Sequence, residues 1–228
     1  MQLRERIWEE TRGSKARQQA YREICQNDLL FYVSVFLWTY RPQDYGKARL
    51  VPFIPYDYQC REGDGMFYHI QSAIRNQHDL ALKKAREVGA TEASLATFNH
   101  EWLFTPESAF GTSSKREDDV INADEPSSHF ARFDRFTSRL PSWLKPRVKK
   151  REGTRTNLDN GSVLSGESTT PDMFRQKRQT AILFDECAVV ENGVAIVGHT
   201  GNVTKCRLFV GTVQTGVNAL SHVLGLTG

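Results

Sequence analysis

The chain has 228 residues, of which 39% are hydrophobic and 11% aromatic, enough to bury a core and to exclude global disorder. Lys plus Arg number 30 and Asp plus Glu 27, so the net charge is +3. That balance excludes a uniformly basic nucleic-acid module, and any DNA contact must come from local patches. The four cysteines, Cys25, Cys60, Cys187 and Cys206, are widely spaced and form no CxxC pair. This argues against a disulfide framework or a zinc site and for reduced thiols.

Residues 1–24 read as a polar helix anchored by Ile7, Trp8, Tyr21 and Ile24, with no apolar signal-peptide core. The longest apolar stretch, Leu29 to Tyr40, is far shorter than the roughly 20 residues of a membrane span, so residues 28–40 are predicted as a core helix stopped by Pro42. Residues 41–57, with Pro42, Gly46, Pro52 and Pro55, read as an irregular linker. A helix is expected over 67–76 and a short buried strand over Asp79–Lys83. After the small-residue turn Arg86–Thr91, a helix runs to about Phe104, with Ala93, Ala96, His100 and Leu103 on one face.

Ala109–Ser113 suggests a second strand. Phe130, Phe133, Thr137 and Leu140 mark an amphipathic helix ended by Pro141. Asn160–Gly161 is a hairpin turn between Thr154–Leu158 and Ser162–Ser165. Thr180–Phe184 and Arg207–Val210 read as buried strands. Strands alternating with helices predict an α/β fold with a mainly parallel sheet.

Two segments carry chemistry. Lys84 to Thr91 joins a strand to a helix through small residues, as a phosphate-binding loop does. Against the pattern GxxxxGK[ST], Gly89 and Thr91 fit, whereas Lys84 replaces the first glycine and Ala90 the lysine. Lys84 or Arg86 can supply the missing cation and Thr91 a hydroxyl for Mg²⁺. The same residues also suit a plain solvated connection. The run Thr180 to Glu186 is more specific, because a buried strand delivers adjacent carboxylates at the edge where open α/β sheets bind ligands. Asp185 suits a metal-holding role and Glu186 the polarisation of an attacking water. A pair capping the following helix is the alternative.

Several stretches together resemble one family. Phe36 to Tyr40, Pro52 to Gln59, Lys84 to Thr91, Phe130 to Pro146, Gly161 to Ser168 and Thr180 to Ala188 run in the order found in the ATPase domain of the large terminase subunit, the DNA-packaging motor of tailed bacteriophages. The resemblance covers about residues 28–218. It implies a P-loop NTPase of the RecA/ASCE-like type, a three-layer fold with a mainly parallel central sheet. Residues 1–45 would be a helical lead-in and 46–228 the ATPase core.

The resemblance also implies Lys84 as the phosphate lysine and Arg86 as a second contact. Tyr58 and Gln59 look like the adenine-recognition segment, although an ordinary loop anchor fits them equally. Gly211-Thr212 resembles the segment that couples hydrolysis to DNA movement, with the usual Thr-Pro-x-Gly altered to Thr212-Val213-Gln214-Thr215-Gly216. Gly216 and Asn218 fit its later part. Arg175, Arg178 and Arg155 are candidates for an arginine supplied to a neighbouring subunit. The basic runs Lys145, Arg147, Lys149, Lys150, Arg151 and Arg175, Lys177, Arg178 suit sequence-blind contact with DNA phosphates, or a solvated face.

The expected cofactors are ATP and Mg²⁺. The expected partners are double-stranded DNA, the phage portal protein, a small terminase subunit and further copies of the chain in a ring, with no membrane and a location in the host cytoplasm. No nuclease activity is expected here, since the residues after Asn218 include no acidic one. A helicase-like DNA-dependent ATPase and a catalytically inactive interaction module are the competing readings.

Overall fold

The structure is a computed structural model that describes residues 2–41, 50–85, 88–170, 172–175, 177–190, 193–212 and 218–225. Its first third holds α1 (Gln2–Thr11), α2 (Lys15–Asn27), α3 (Leu29–Phe36), β1 (Trp38–Tyr40), β2 (Leu50–Pro52), α4 (Asp57–Cys60) and α5 (Met66–Asn76). The middle holds β3 (Leu80–Lys84), α6 (Ala90–Phe104), β4 (Ala109–Ser114), α7 (Asp118–Ile121) and α8 (His129–Ser138). Then follow β5 (Val148–Arg151), β6 (Thr154–Asn157), β7 (Val163–Ser168), β8 (Ala181–Phe184), α9 (Gly193–Thr200), β9 (Arg207–Thr212) and α10 (Ala219–Val223).

Seven strands form one sheet in the order β3-β9-β8-β4-β7-β6-β5. The first five run parallel, and β6 and β5 are added antiparallel through the β6–β7 hairpin. β8 is buried at every position, as an inner strand covered on both faces must be, which is why it reads as an uninterrupted apolar run. Period-two alternation divides the strand residues between two cores. Ala181, Leu183, Leu208 and Val210 pack with α3, α5, α6 and α8, whereas Ile182, Phe184 and Phe209 pack with Ile196 of α9 and Leu220 of α10. The result is helix, sheet, helix: three layers.

α6 is buried from Glu92 to Leu103 because helices and strands enclose it on all sides. Its one deep amide, Asn99, is satisfied by accepting from the Tyr32 hydroxyl at 2.6 Å and donating to Thr137 at 2.9 Å. The N-terminal helices share this core through Ile7, Cys25 and Leu29.

Three local readings change. Residues 1–24 are not one helix: Gly13, at φ 73°, breaks the chain, and Ser14 caps α2 by accepting from Arg17 N–H. The predicted helix over 28–40 ends at Phe36, and Trp38-Thr39-Tyr40 becomes a strand paired with Leu50–Pro52. Aromatic and β-branched side chains favour that pairing once a partner strand is available. Val148–Arg151, read as a charged patch, is the edge strand β5, and its exposed Lys149, Lys150 and Arg151 discourage further strand addition.

Candidate nucleotide site

The carboxyl ends of β3, β9 and β8 place the predicted residues side by side. Lys84 ends β3 and pairs in register with Thr212, the exposed last residue of β9. Asp185 and Glu186 follow the end of β8, and Asp185 N–H donates to the Ser113 carbonyl of β4 at 2.9 Å, extending the ladder by one bond. A strand, β9, therefore stands between β3, which leads toward Gly89, and the acidic strand.

Gly89 starts α6 at φ 73°, a left-handed position that a side chain disfavours. A Cβ there would also lie 2.7 Å from Gln59 Nε2. The turn aims the N-terminus of α6 at the sheet edge, where free N–H groups and the helix dipole favour an anion.

Asp185 is the centre of the site. It is buried, with 7% of its surface exposed. Its Oδ2 accepts from the Thr91 hydroxyl at 2.8 Å and lies 3.3 Å from His129 Nε2. Its Oδ1 accepts from Glu186 N–H at 3.0 Å and lies 3.6 Å from Lys84 Nζ. Lys84 Nζ also donates to the Thr91 hydroxyl at 3.3 Å. Burial alone would raise the carboxyl pKa; hydrogen bonding and charge from His129, then Lys84 and Thr91, outweigh it and hold the group well below the usual carboxylate range. Asp185 is thus an anion at neutral pH.

Glu186 is exposed and held at φ 52°, ψ 31°, in the left-handed region. In a residue with a Cβ this backbone is strained. The buried neighbour Cys187 is no nucleophile, since burial pushes its thiol up to about 12.

The donor set suits Mg²⁺ and a phosphate chain. Mg²⁺ takes hard oxygen ligands, one or two from the protein and the rest from water and phosphate. Thr91 Oγ1 and the ionised Asp185, in hydrogen-bond contact, are the two protein oxygens that would hold such an ion. Among the described residues no cluster of three or more His, Cys, Asp or Glu offers an all-protein metal cage.

On the other side of Gly89 lies a cleft of about 810 Å³, lined in part by Tyr40, Phe53, Ile54, Tyr56, Gln59 and Arg135. At its wall Glu92 accepts from Thr39 at 2.7 Å and Arg132 at 2.5 Å. Gln59 is buried beneath the loop, accepting from Tyr56 N–H at 2.9 Å and donating to the Val88 carbonyl at 3.0 Å. The Tyr58 hydroxyl donates to the same carbonyl at 3.1 Å, and its ring stacks on Tyr56 with centroids 5.5 Å apart. Both side chains tie α4 to the Val88 carbonyl, just before α6.

Arg86, and residues 213–217 of the predicted coupling segment, lie outside the described residues. Arg155 is not free to act on a neighbour. It is 5% exposed, grips Asp134 with bonds of 2.9 and 3.0 Å, and lies over the Phe130 ring. Arg175 and Arg178 are exposed. Sequence reasoning missed His129 and Thr112, which no motif links to the acidic strand, and the Glu92–Arg132 pair.

No family model and no curated protein sequence matches the chain. Solved structures do. The crystal structure of the HK97 bacteriophage large terminase aligns with a TM-score of 0.58 at 12% identity, covering 88% of this chain and 40% of that one. The large terminase of a thermophilic bacteriophage gives a TM-score of 0.47 at 15% identity, over 64% of this chain and 38% of that one. The Thermus phage P74-26 large terminase ATPase domain gives 0.46 at 17%, over 68% and 67%. The chain thus has the fold of the HK97 large terminase over most of its own length, and it spans 40% of the length of that protein.

Proposed function

We propose that the chain is the ATPase motor domain of a phage terminase large subunit, hydrolysing ATP with Mg²⁺ to move double-stranded DNA into a procapsid. Within this reading, residues 1–45 are a lead-in whose helices pack on the core formed by 46–228. The observation that carries it is the convergence of Lys84, Thr91 and Asp185 at the N-terminus of α6, at the carboxyl edge of the sheet. The terminase-like fold supports the same conclusion.

Each residue has a role that its position suits. Lys84, within reach of Asp185, turns its ammonium to the phosphates. Thr91 and Asp185 hold Mg²⁺, which when bound neutralises charge on the phosphate oxygens. Glu186, exposed beside them, accepts a proton from the water that attacks the terminal phosphorus, and ADP leaves. Thr212, next to Lys84 on β9, is placed to feel the change in the phosphates. The cleft lined by Tyr40, Tyr56 and Ile54 takes the base, with Tyr58 and Gln59 holding its floor and Arg86 as a further phosphate contact.

The partners of this reading are the portal protein, a small terminase subunit and further copies of the chain in a ring, in the host cytoplasm. Exposed Arg175 or Arg178 would serve a neighbouring copy. Among the described residues no helix is long and apolar enough to cross a membrane.

Nucleotide binding by the isolated chain is the first test. Wild type should bind ATP in a Mg²⁺-dependent way, Lys84→Ala should lose most of that affinity, and DNA should stimulate turnover. A wild-type chain that binds no nucleotide with or without Mg²⁺ would sink the proposal.

A further inference from the structure

We propose that His129 is a positioning residue that, with Thr112 behind it, sets the orientation of the Asp185 carboxylate. The inference rests on the nucleotide reading of the site. His129 is 3% exposed and Thr112 is fully buried. His129 opens α8, whose N-cap Ser128 accepts from Ala131 N–H and fixes where the helix begins. Thr112 lies on β4, in register with Leu183 of β8, two residues before Asp185.

The imidazole bridges the two. Thr112 Oγ1 is 2.6 Å from Nδ1 and Asp185 Oδ2 is 3.3 Å from Nε2. A carboxylate only accepts, so the proton of that contact is on Nε2. The Thr112 hydroxyl, which both donates and accepts, satisfies Nδ1. Both ring nitrogens are therefore satisfied, and the ring has no second orientation that keeps both bonds.

The consequence falls on Oδ2. That oxygen also accepts from Thr91, the other oxygen donor of the metal pair. With His129 in place, Asp185 is held with Oδ2 toward Thr91 and Oδ1 toward Lys84 and Glu186 N–H. Without it, a buried carboxylate loses one of its donors and with it a constraint on the orientation that Oδ2 keeps toward Thr91. Partners that orient a metal ligand typically matter by about 10–100-fold in metal affinity.

The test uses the whole chain with ADP and Mn²⁺, with bound metal read by electron paramagnetic resonance. His129→Leu should weaken Mn²⁺ binding by about 10–100-fold while metal-free ADP binding is unchanged. His129→Gln, whose amide N–H reaches the same carboxylate, should recover most of the loss. Thr112→Val should weaken Mn²⁺ severalfold without lowering the melting temperature by more than a few degrees. Nitrogen NMR of the metal-free protein should find the proton on His129 Nε2. Wild-type Mn²⁺ affinity in a folded His129→Leu chain, or a bare Nε2, overturns the proposal. If His129→Leu does not fold, an unchanged Mn²⁺ affinity in Thr112→Val overturns it alone. A wild type that binds neither ADP nor Mn²⁺–ADP rejects the nucleotide reading itself, and this inference with it.

Discussion

The Thr91 hydroxyl donates a 2.8 Å hydrogen bond to Oδ2 of Asp185 across 94 positions of chain. It ties the first turn of α6 to the end of β8, so helix and sheet edge are locked at the point where a ligand would enter. Thr91→Val keeps the shape and removes the donor. A hydrogen bond to a charged group contributes about 2 kcal/mol, and the variant should lose about that much in urea unfolding. Its Mg²⁺-dependent nucleotide affinity should fall as well, by calorimetry. A variant as stable as wild type would mean that water replaces the hydroxyl without cost.

Much of this arrangement was legible in the sequence because regular elements announce their own ends. β8 is an apolar run that stops at two carboxylates, and α6 begins at Gly89 because only glycine accepts that turn easily. Order along the chain then suggested that the two ends belong together. The His129–Asp185 contact, 56 positions apart, was invisible, since α8 advertised only its apolar face. The strand β1 was hidden for a related reason: Trp38-Thr39-Tyr40 continues the apolar run of α3, and only pairing with Leu50–Pro52 makes it extended.

Glu101 predicts acid sensitivity at the opposite edge of the sheet. It accepts from Thr105 at 2.9 Å and Gln71 at 3.2 Å, with Arg75 at 3.4 Å and the His100 ring at 3.6 Å. Burial opposes its charge, but His100, then Thr105 and Arg75, prevail, and its pKa falls from 4.5 to about 2. Because the folded value is the lower one, the stabilisation is present in full above pH 4.5 and drains away as the pH falls toward about 2. The effect is on the order of 3 kcal/mol. Glu101→Gln should flatten the loss of stability across that window in urea titrations at stepped pH; an unchanged slope would assign the acid transition to other groups.

Arg155 and the exposed arginines should separate cleanly. Arg155→Ala strands Asp134, 16% exposed, with Lys150 as its remaining cation. Removing one partner of a buried pair costs about 3 kcal/mol or more, so the variant should unfold at clearly lower urea. Arg175→Ala and Arg178→Ala change only exposed side chains and should stay within about 0.5 kcal/mol of wild type. A loss of DNA-stimulated turnover in either, with stability retained, would mark the arginine given to a neighbour. Equal destabilisation in all three would contradict the division.

Glu186 sets stability against function. Its left-handed backbone costs roughly 1–2 kcal/mol in a residue with a Cβ, and its side chain is exposed. The backbone N–H, which remains in any variant but proline, makes the bond to Asp185 Oδ1. Glycine at this position relieves the strain and offsets it with a more flexible unfolded chain, by about 0.5–1 kcal/mol. Glu186→Gly should therefore melt at or slightly above the wild-type temperature. A general base contributes about 10²-fold or more, so turnover should fall by at least that while ADP binding persists. Melting several degrees lower would reveal side-chain contacts that stabilise the fold, and undiminished turnover would move the base to another residue. The expected pairing of a firmer fold with a dead site would show that the strain at the end of β8 is kept for the carboxylate it presents.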